Sequence, residues 1–288
     1  MKVKIAAFTV LVGLLLAACG GVGDEDGSGS GSEGIDHSTG AEELVLRVHS
    51  GGGFVPIELT LQEIPGFSLF GDGRAIITGP VIEIYPGPAL PNLQQIRLSE
   101  EGVQAILEEA ERAGLLEGDA SYDYPCVTDL PTTTFTVTAE GRTHTVSAYA
   151  LGFEDQMTGD CPDVDVDARA ALTEFWTKLG DLESWLPEGS IGETEPFVPE
   201  EMRLYVTPYR ADPELEQEPI QWPLEGSPAE FGEPDQTLPD YRCGVVSAED
   251  LDALLPLAED ANQLTPWTSD GEQVGLVFRP LLPDEHGC

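Results

Sequence analysis

The sequence predicts an α+β protein in which two small antiparallel sheets are each packed by one or two helices. Apolar and polar residues alternate from Leu44 to His49, as in a strand with one buried face. Two short apolar segments flank Gly71-Asp72-Gly73, and Asp-Gly favours the positive φ angles of a tight hairpin turn. Residues 99–115 carry apolar side chains at helical spacing. Together these observations indicate strands covered by helices.

The clearest predicted helix begins after Ser99, a good N-cap residue followed by two glutamates that suit the positive helix start. Gly114 fits the position just after its C-terminus. One apolar face is formed by Val103, Ile106, Leu107 and Ala110. We expect this helix to pack across the preceding sheet.

Further elements of the first half follow from the same rules. Val81–Tyr85 is predicted as a short strand, and three prolines after it indicate an extended crossover. A second hairpin is predicted for Thr132–Ala139 and Arg142–Leu151 around Glu140-Gly141. A long helix then places Leu172, Phe175, Trp176 and Leu179 on one face.

The second half is less regular. A strand is predicted at Met202–Val206, and residues 211–241 read as a long irregular segment around Ile220-Gln221-Trp222. Ser247 is the predicted N-cap of a helix that Pro256 should break or kink. A last strand carries Val274, Leu276 and Phe278.

These patterns divide the chain into five parts. Residues 1–18 are a predicted signal peptide, and 19–41 a flexible acidic Gly/Ser tether. Residues 42–186 form the larger α+β domain. A Pro/Gly/Glu-rich linker at 187–199 leads to a smaller α+β domain at 200–288.

The N-terminus carries a secretory pattern, with Lys2 and Lys4 before an apolar run that is too short to span a bilayer as a helix. Leu16-Ala17-Ala18-Cys19 resembles a bacterial lipoprotein signal. The resemblance implies cleavage before Cys19, a diacylglyceryl group on its sulfur, and a lipid anchor on the outer face of the cell membrane or the periplasmic side. A plain signal peptide or an N-terminal anchor helix is the alternative.

The body is also similar to a group of uncharacterised bacterial envelope lipoproteins. The similarity covers residues 44–116 and implies no activity and no site residue. It rests on Gly71-Asp72-Gly73-Arg74, Gly79-Pro80, Tyr85-Pro86-Gly87, Leu90-Pro91 and Leu98-Ser99.

The charge of the chain excludes one class of partner. Its formal net charge is −40, and loss of Lys2 and Lys4 with the signal leaves 11 basic against 53 acidic residues, or −42. Phosphate backbones and anionic headgroups repel such a chain, so we expect no nucleic-acid partner and membrane contact through the lipid alone.

Four cysteines follow Cys19, and an even number in an exported protein predicts two disulfides. Among three possible pairings, we expect Cys126–Cys161 and Cys243–Cys288, because each then lies within one predicted domain. No Cys-x-x-Cys motif supports a zinc or redox site.

One acidic cluster has the spacing of a calcium loop. Asp163, Asp165, Asp167 and Glu174 match positions 1, 3, 5 and 12 of an EF-hand. Ala168 stands where the loop needs glycine, so an acidic helix start is the alternative. No other cofactor is expected.

Two functional classes remain. Tyr205, Tyr209 and Trp222 are candidates for an exposed binding surface, although such aromatic residues also cover small cores. We favour a non-enzymatic envelope lipoprotein that binds an unidentified protein or small molecule or has a structural role. The alternative is an extracytoplasmic hydrolase with a carboxylate-based site, although the sequence holds no nucleophile motif.

Overall fold

The computed structural model describes residues 34–153 and 161–288, so the predicted signal peptide, Cys19 and most of the tether lie outside the described residues. The described part contains two β-sheets and four α-helices, which confirms the α+β class. Each sheet includes one parallel strand pair, so the prediction of purely antiparallel sheets is wrong.

The first sheet has eight strands in the order β5-β7-β6-β1-β2-β3-β4-β8. Their bounds are β1 Leu44–Gly51, β2 Phe67–Phe70, β3 Arg74–Thr78, β4 Leu93–Leu98, β5 Ala120–Tyr122, β6 Thr132–Ala139, β7 Arg142–Tyr149 and β8 Ile191–Pro196. Both predicted hairpins are confirmed as β2–β3 and β6–β7. The parallel pair is β5–β7, at one edge.

Three α-helices precede the second sheet: α1 (Ile57–Gln62), α2 (Glu100–Arg112) and α3 (Val166–Leu179). Helices α2 and α3 share one hydrophobic core with the first sheet. The predicted cap of α2 is confirmed, since the Ser99 hydroxyl accepts a hydrogen bond from the Gly102 amide. Across this core the rings of Phe135 and Phe175 lie 6.1 Å apart.

The second sheet has six strands in the order β10-β13-β14-β9-β12-β11. Their bounds are β9 Glu201–Pro208, β10 Ile220–Gln221, β11 Glu233–Pro234, β12 Arg242–Ser247, β13 Trp267–Ser269 and β14 Glu272–Pro280. Helix α4 (Ala248–Glu259) packs on β9 and β12, and β10–β13 is the parallel pair.

Helix α4 does not end at its proline. It continues through Pro256 to Glu259, so of the two predicted effects of this proline, a break or a kink, the break does not occur. Leu251 and Leu254 are buried before the proline and Ala258 after it. Burial on both sides favours a continuous helix, since each buried leucine contributes about 1.5–3 kcal/mol against about 3 kcal/mol for an internal proline.

Two other predictions differ from the structure. Val81–Tyr85 is an exposed loop and not a strand, and β3, which precedes it, already pairs with β2 and β4 on its two sides. The predicted linker 187–199 contains β8, whose residues are mostly exposed but whose backbone pairs with β4. The chain leaves the first sheet after Pro196 and enters the second at Glu201.

Each half contributes residues that pack against the other half. Helix α1 contacts β14, and Ala89 lies in the second hydrophobic core. In return, Leu282 packs against Phe70 and Ile76 of the first sheet. Residues Gly34–Cys288 accordingly form one compact unit.

Candidate functional site

A cavity of about 420 Å³ lies where the two halves meet, a size typical of small-molecule sites. Its walls are built from α1, the loop at Tyr85–Ala89, the end of β9 with the two residues after it, Tyr241, the loop at Gln263–Thr265, and β14. Most of the lining is apolar. Because six segments form the walls, the shape of the cavity depends on the contacts that hold these segments together.

Hydrogen bonds to backbone groups of the Tyr85–Ala89 loop fix the walls on that side. The Gln62 amide group donates to the Ala89 carbonyl at 2.8 Å, which ties α1 to this loop. The Gln263 N–H donates to the Gly87 carbonyl at 2.9 Å, and the Gly87 N–H donates back to the Gln263 side-chain oxygen at 3.3 Å. These contacts make the cavity a largely preformed feature of the fold.

The floor of the cavity is the surface of β9 and β14. Gly275 lies opposite Thr207 in the antiparallel ladder. A Cβ atom at Gly275 would lie 2.5 Å from the Thr207 hydroxyl oxygen, so glycine permits the close approach of the two strands here. The glycine therefore helps to keep this part of the floor open.

One side of the cavity is polar. The Tyr241 hydroxyl donates a hydrogen bond to the Glu58 carboxylate at 3.0 Å. Partial burial, the Glu58 bond and the Glu58 charge raise the pKa of Tyr241, and the nearby positive charge of Arg210 opposes them. Tyr241 is therefore a neutral donor at physiological pH. Glu58, Tyr241 and Arg210 form a polar cluster beside an apolar space.

Aromatic side chains surround the same space. Tyr209 and Tyr241 are half-buried in its wall, and Tyr85 is 67% exposed at its edge. Tyrosine combines an apolar ring face with a polar tip, which suits it to contact a ligand that is partly apolar. The arrangement can therefore hold a small amphipathic molecule.

The three aromatic residues predicted to form an exposed surface differ in their burial. Tyr209 lines the cavity, but Tyr205 and Trp222 are only 8% and 4% exposed, so the prediction of an exposed surface is wrong for them. Trp222 packs edge-on against Phe231 and Trp267, with ring centroids 5.6 and 6.4 Å apart. These buried rings cover the second core, which is the alternative role for them.

The four predicted calcium ligands are not brought together. Asp165 is the N-cap of α3, where its carboxylate accepts a hydrogen bond from the Ala168 amide at 3.1 Å. Asp167 lies in the first turn of the helix, and Glu174 pairs with Lys178 at 3.1 Å. Asp163 precedes the helix. In the described part of the chain, no group of three acidic, histidine or cysteine side chains could hold a metal ion.

The first cavity does not offer the pair of carboxyl groups that the hydrolase alternative predicts. Glu58 is the one acid among the described residues that line the cavity, whereas a glycosidase-type mechanism needs two carboxyl groups. A hydrogen bond from Gln104 lowers the pKa of Glu100. Against the opposing effect of burial, hydrogen bonds from Arg279 and Leu282 lower the pKa of Glu285, so neither carboxyl group is held protonated.

A second cavity, of about 610 Å³, is lined partly by Ser247, Glu201 and His286. The His286 ring lies 3.8 Å from the Glu201 carboxylate and is largely exposed. Among the contacts of the described residues, none joins the Ser247 hydroxyl to this histidine, so the three residues do not form a nucleophile with its base.

Both predicted disulfides are present. Cys126–Cys161 and Cys243–Cys288 each have Cα atoms 5.9 Å apart, within the usual range. Two disulfides in a chain of this size indicate an oxidising, extracytoplasmic environment. The pairing within each half agrees with the reasoning from the sequence.

The expected lipid anchor at Cys19 lies outside the described residues. Within the described ranges, no helix is long and apolar enough to span a bilayer. The similarity of residues 44–116 to envelope lipoproteins stays a prediction. Comparison with family models, curated proteins and solved structures finds no match to this chain.

Proposed function

We propose that this protein is a lipid-anchored extracytoplasmic protein that binds a small, largely apolar molecule in the cavity between α1, β9 and β14. The cavity itself carries the proposal: it is preformed, mostly apolar, of ligand size and polar on one side. Small-molecule sites combine these features, with a few polar groups fixing the ligand in an apolar space.

The anchor part of the proposal rests on the Leu16-Ala17-Ala18-Cys19 motif and on the two disulfides. Residues 34–41 of the predicted tether pack against the body, since the Gln104 side chain exchanges hydrogen bonds with the backbone of Ile35 and Ile35 contacts the first core. A flexible tether over residues 20–33 would hold the body roughly 20 Å from the lipid. The variant Cys19→Ala should remain uncleaved or leave the membrane fraction. Normal cleavage with unchanged membrane fractionation of this variant would refute the anchor.

Ligand binding can be tested with N-phenyl-1-naphthylamine, a neutral apolar dye that fluoresces strongly when it is removed from water. The test uses residues 19–288, produced without the signal peptide and with Cys19→Ser, in detergent-free buffer. Saturable binding of one dye per protein is expected. An absence of saturable binding would overturn the proposed function.

The position of the dye is tested by filling the cavity. Leu59 lies on α1, is 45% exposed and lines the cavity, so Leu59→Trp adds a ring to its wall with little cost to folding. The matched control is Val166→Trp, which adds the same ring at a 69% exposed position on α3. We expect Leu59→Trp to weaken dye binding about tenfold or more and the control to leave it unchanged. Equal affinities would place the dye elsewhere.

A further inference from the structure

We infer that the ligand of this cavity carries an anionic group on its apolar body, and that the Arg210 guanidinium binds this group. The inference rests on the proposed function, because it names the chemical class of the molecule in the same cavity. Arg210 lies at the cavity wall with Tyr209 and Tyr241. The residue is exposed and lines the cavity, so its side chain is accessible to a ligand there.

The first argument is the pairing of the other arginines. Five are paired with carboxylates: Arg47, Arg74, Arg97, Arg112 and Arg279. Three donate to backbone carbonyls: Arg169, Arg203 and Arg242. Within residues 34–153 and 161–288, Arg210 makes no hydrogen bond or ion pair, and Arg142, in the turn region of β6–β7, is the other such arginine.

The second argument is charge. With 53 acidic residues in the chain, carboxylates are abundant, yet none pairs with Arg210 among the described residues. The acid that shares its cavity, Glu58, accepts a hydrogen bond from the Tyr241 hydroxyl. The guanidinium is thus left with its donors free beside an apolar cavity. A guanidinium binds carboxylate, sulfonate or phosphate oxygens with two parallel hydrogen bonds.

The third argument concerns the rest of the site. Tyr241 is neutral at physiological pH, as a tyrosine is well below its ordinary pKa of about 10, and its hydroxyl donates to Glu58, so it adds no second negative charge beside Arg210. The rings of Tyr209 and Tyr85 and the side chain of Leu276 supply apolar surface for the body of the ligand. The site therefore fits a compact amphipathic anion better than a wholly neutral molecule.

The test compares two dyes with the same body. 8-Anilinonaphthalene-1-sulfonate is N-phenyl-1-naphthylamine with one added sulfonate group. Both dissociation constants are measured for the wild type, for Arg210→Gln and for the control Arg142→Gln, which removes the same charge from an exposed arginine without a partner. The ratio of the two constants cancels changes in the apolar contacts.

We expect Arg210→Gln to weaken binding of the sulfonate dye about ten- to hundredfold while leaving the neutral dye unchanged, since hydrogen bonds to charged groups have that strength. Arg142→Gln should change neither constant by more than about twofold, because long-range charge effects are screened by salt. Unchanged binding of the neutral dye also shows that the Arg210 variant is folded.

If the ratio of the two dissociation constants is the same in Arg210→Gln and Arg142→Gln, the anion inference is overturned while the proposed function stands. If neither dye binds the wild type, the proposed function fails first. If the sulfonate dye binds, competition identifies the anionic group. Dodecanoate and dodecyl phosphate should each displace the sulfonate dye at lower concentration than dodecanol does. The one of these two anions that acts at the lower concentration indicates the headgroup of the ligand. Equal displacement by dodecanol would also overturn the inference.

Discussion

Breaking the ion pair between Arg279 and Glu285 should destabilise the fold, because both side chains are largely buried and the remaining charge would lose its partner. The Arg279 side chain is 9% exposed and the Glu285 side chain 19%. The guanidinium donates to both carboxylate oxygens, with a distance of 2.8 Å from Nη2, and the Leu282 amide donates to the same carboxylate at 2.9 Å. The variant Glu285→Gln removes the charge and keeps the size of the side chain.

Removing one partner of a buried ion pair costs about 3–5 kcal/mol, and the remaining amide oxygen recovers part of this. The guanidinium also keeps its bonds to the carbonyls of Glu63 and Pro280. We therefore expect Glu285→Gln to lower the free energy of unfolding by about 2–4 kcal/mol. This is a large share of the total for a typical domain.

The assay is urea unfolding at neutral pH, followed by tryptophan fluorescence. Glu117→Gln serves as the control, because Glu117 is exposed and its side chain has no partner among the described residues. It removes the same charge and should change stability by less than about 0.5 kcal/mol. A Glu285 variant as stable as this control would refute the reasoning.

The pH dependence gives a second check. Burial by itself raises the pKa of Glu285, but the hydrogen bonds from Arg279 and Leu282 and the charges of Arg279 and Arg47 lower it below 4.5. The ionised Glu285 side chain therefore contributes its full stabilisation above pH 4.5, and this stabilisation is lost as the pH falls through the lower pKa that Glu285 has in the folded protein. The stability difference between the wild type and Glu285→Gln should narrow over that range.

Three further predictions concern other parts of the chain. Replacing Cys243 and Cys288 by serine should lower the free energy of unfolding by about 2–4 kcal/mol, because the disulfide closes a loop of 45 residues; a change below about 1 kcal/mol in urea unfolding would contradict this. Asp165→Ala should cost about 1 kcal/mol through loss of the helix cap, and calorimetry with millimolar calcium should show no binding to either form; a calcium-binding heat in the wild type alone would restore the metal hypothesis. Spectrophotometric titration should show a tyrosine ionisation above pH 10 that is missing in Tyr241→Phe, and the stability contributed by Tyr241 should be lost as the pH rises through its raised pKa, whereas an unchanged titration above pH 10 in Tyr241→Phe would contradict the effect of the Glu58 bond.

Elements with strong local signals were predictable. Ser99 and the apolar spacing after it define α2, and Asp72-Gly73 defines the β2–β3 turn, where Gly73 has φ of +82°. Gly73 also lies close to the first sheet, since an added Cβ would be 2.6 Å from the Leu98 carbonyl oxygen. In these cases the local conformation and the tertiary packing require the same residue.

Other elements were not predictable because their strand pairing is tertiary. β8 contains Gly, Glu, Thr and Pro with almost no buried side chain, and it exists because its backbone completes the edge of β4. Val81–Tyr85 differs in the opposite way: its apolar sequence predicts a strand, but these residues are exposed and belong to neither sheet. A hydrophobic pattern in a sequence predicts which side chains are buried. Burial decides the structure of neither β8 nor Val81–Tyr85, so the pattern predicts neither correctly.

The candidate site was only partly predictable for a related reason. Tyr209 was named from its aromatic character, but Glu58 and Tyr241 lie 183 residues apart and meet only in the fold. Helix α1 has six residues and no buried position, so its sequence carries no helical pattern. The unpaired state of Arg210 depends on where every acid lies, which a sequence does not report.

The contact of Leu282 with Phe70 and Ile76 bears on the order in which the protein can mature. During synthesis, which proceeds from the N-terminus, Phe70 and Ile76 are present long before residue 282. Arg47 likewise gains its partner Asp284, at 2.6 Å, only when that segment has been made. A chain truncated before Leu282 would keep an uncovered apolar surface on the first sheet and an unpaired Arg47 side chain. The first sheet is therefore fully covered only after residues of the second half have been made.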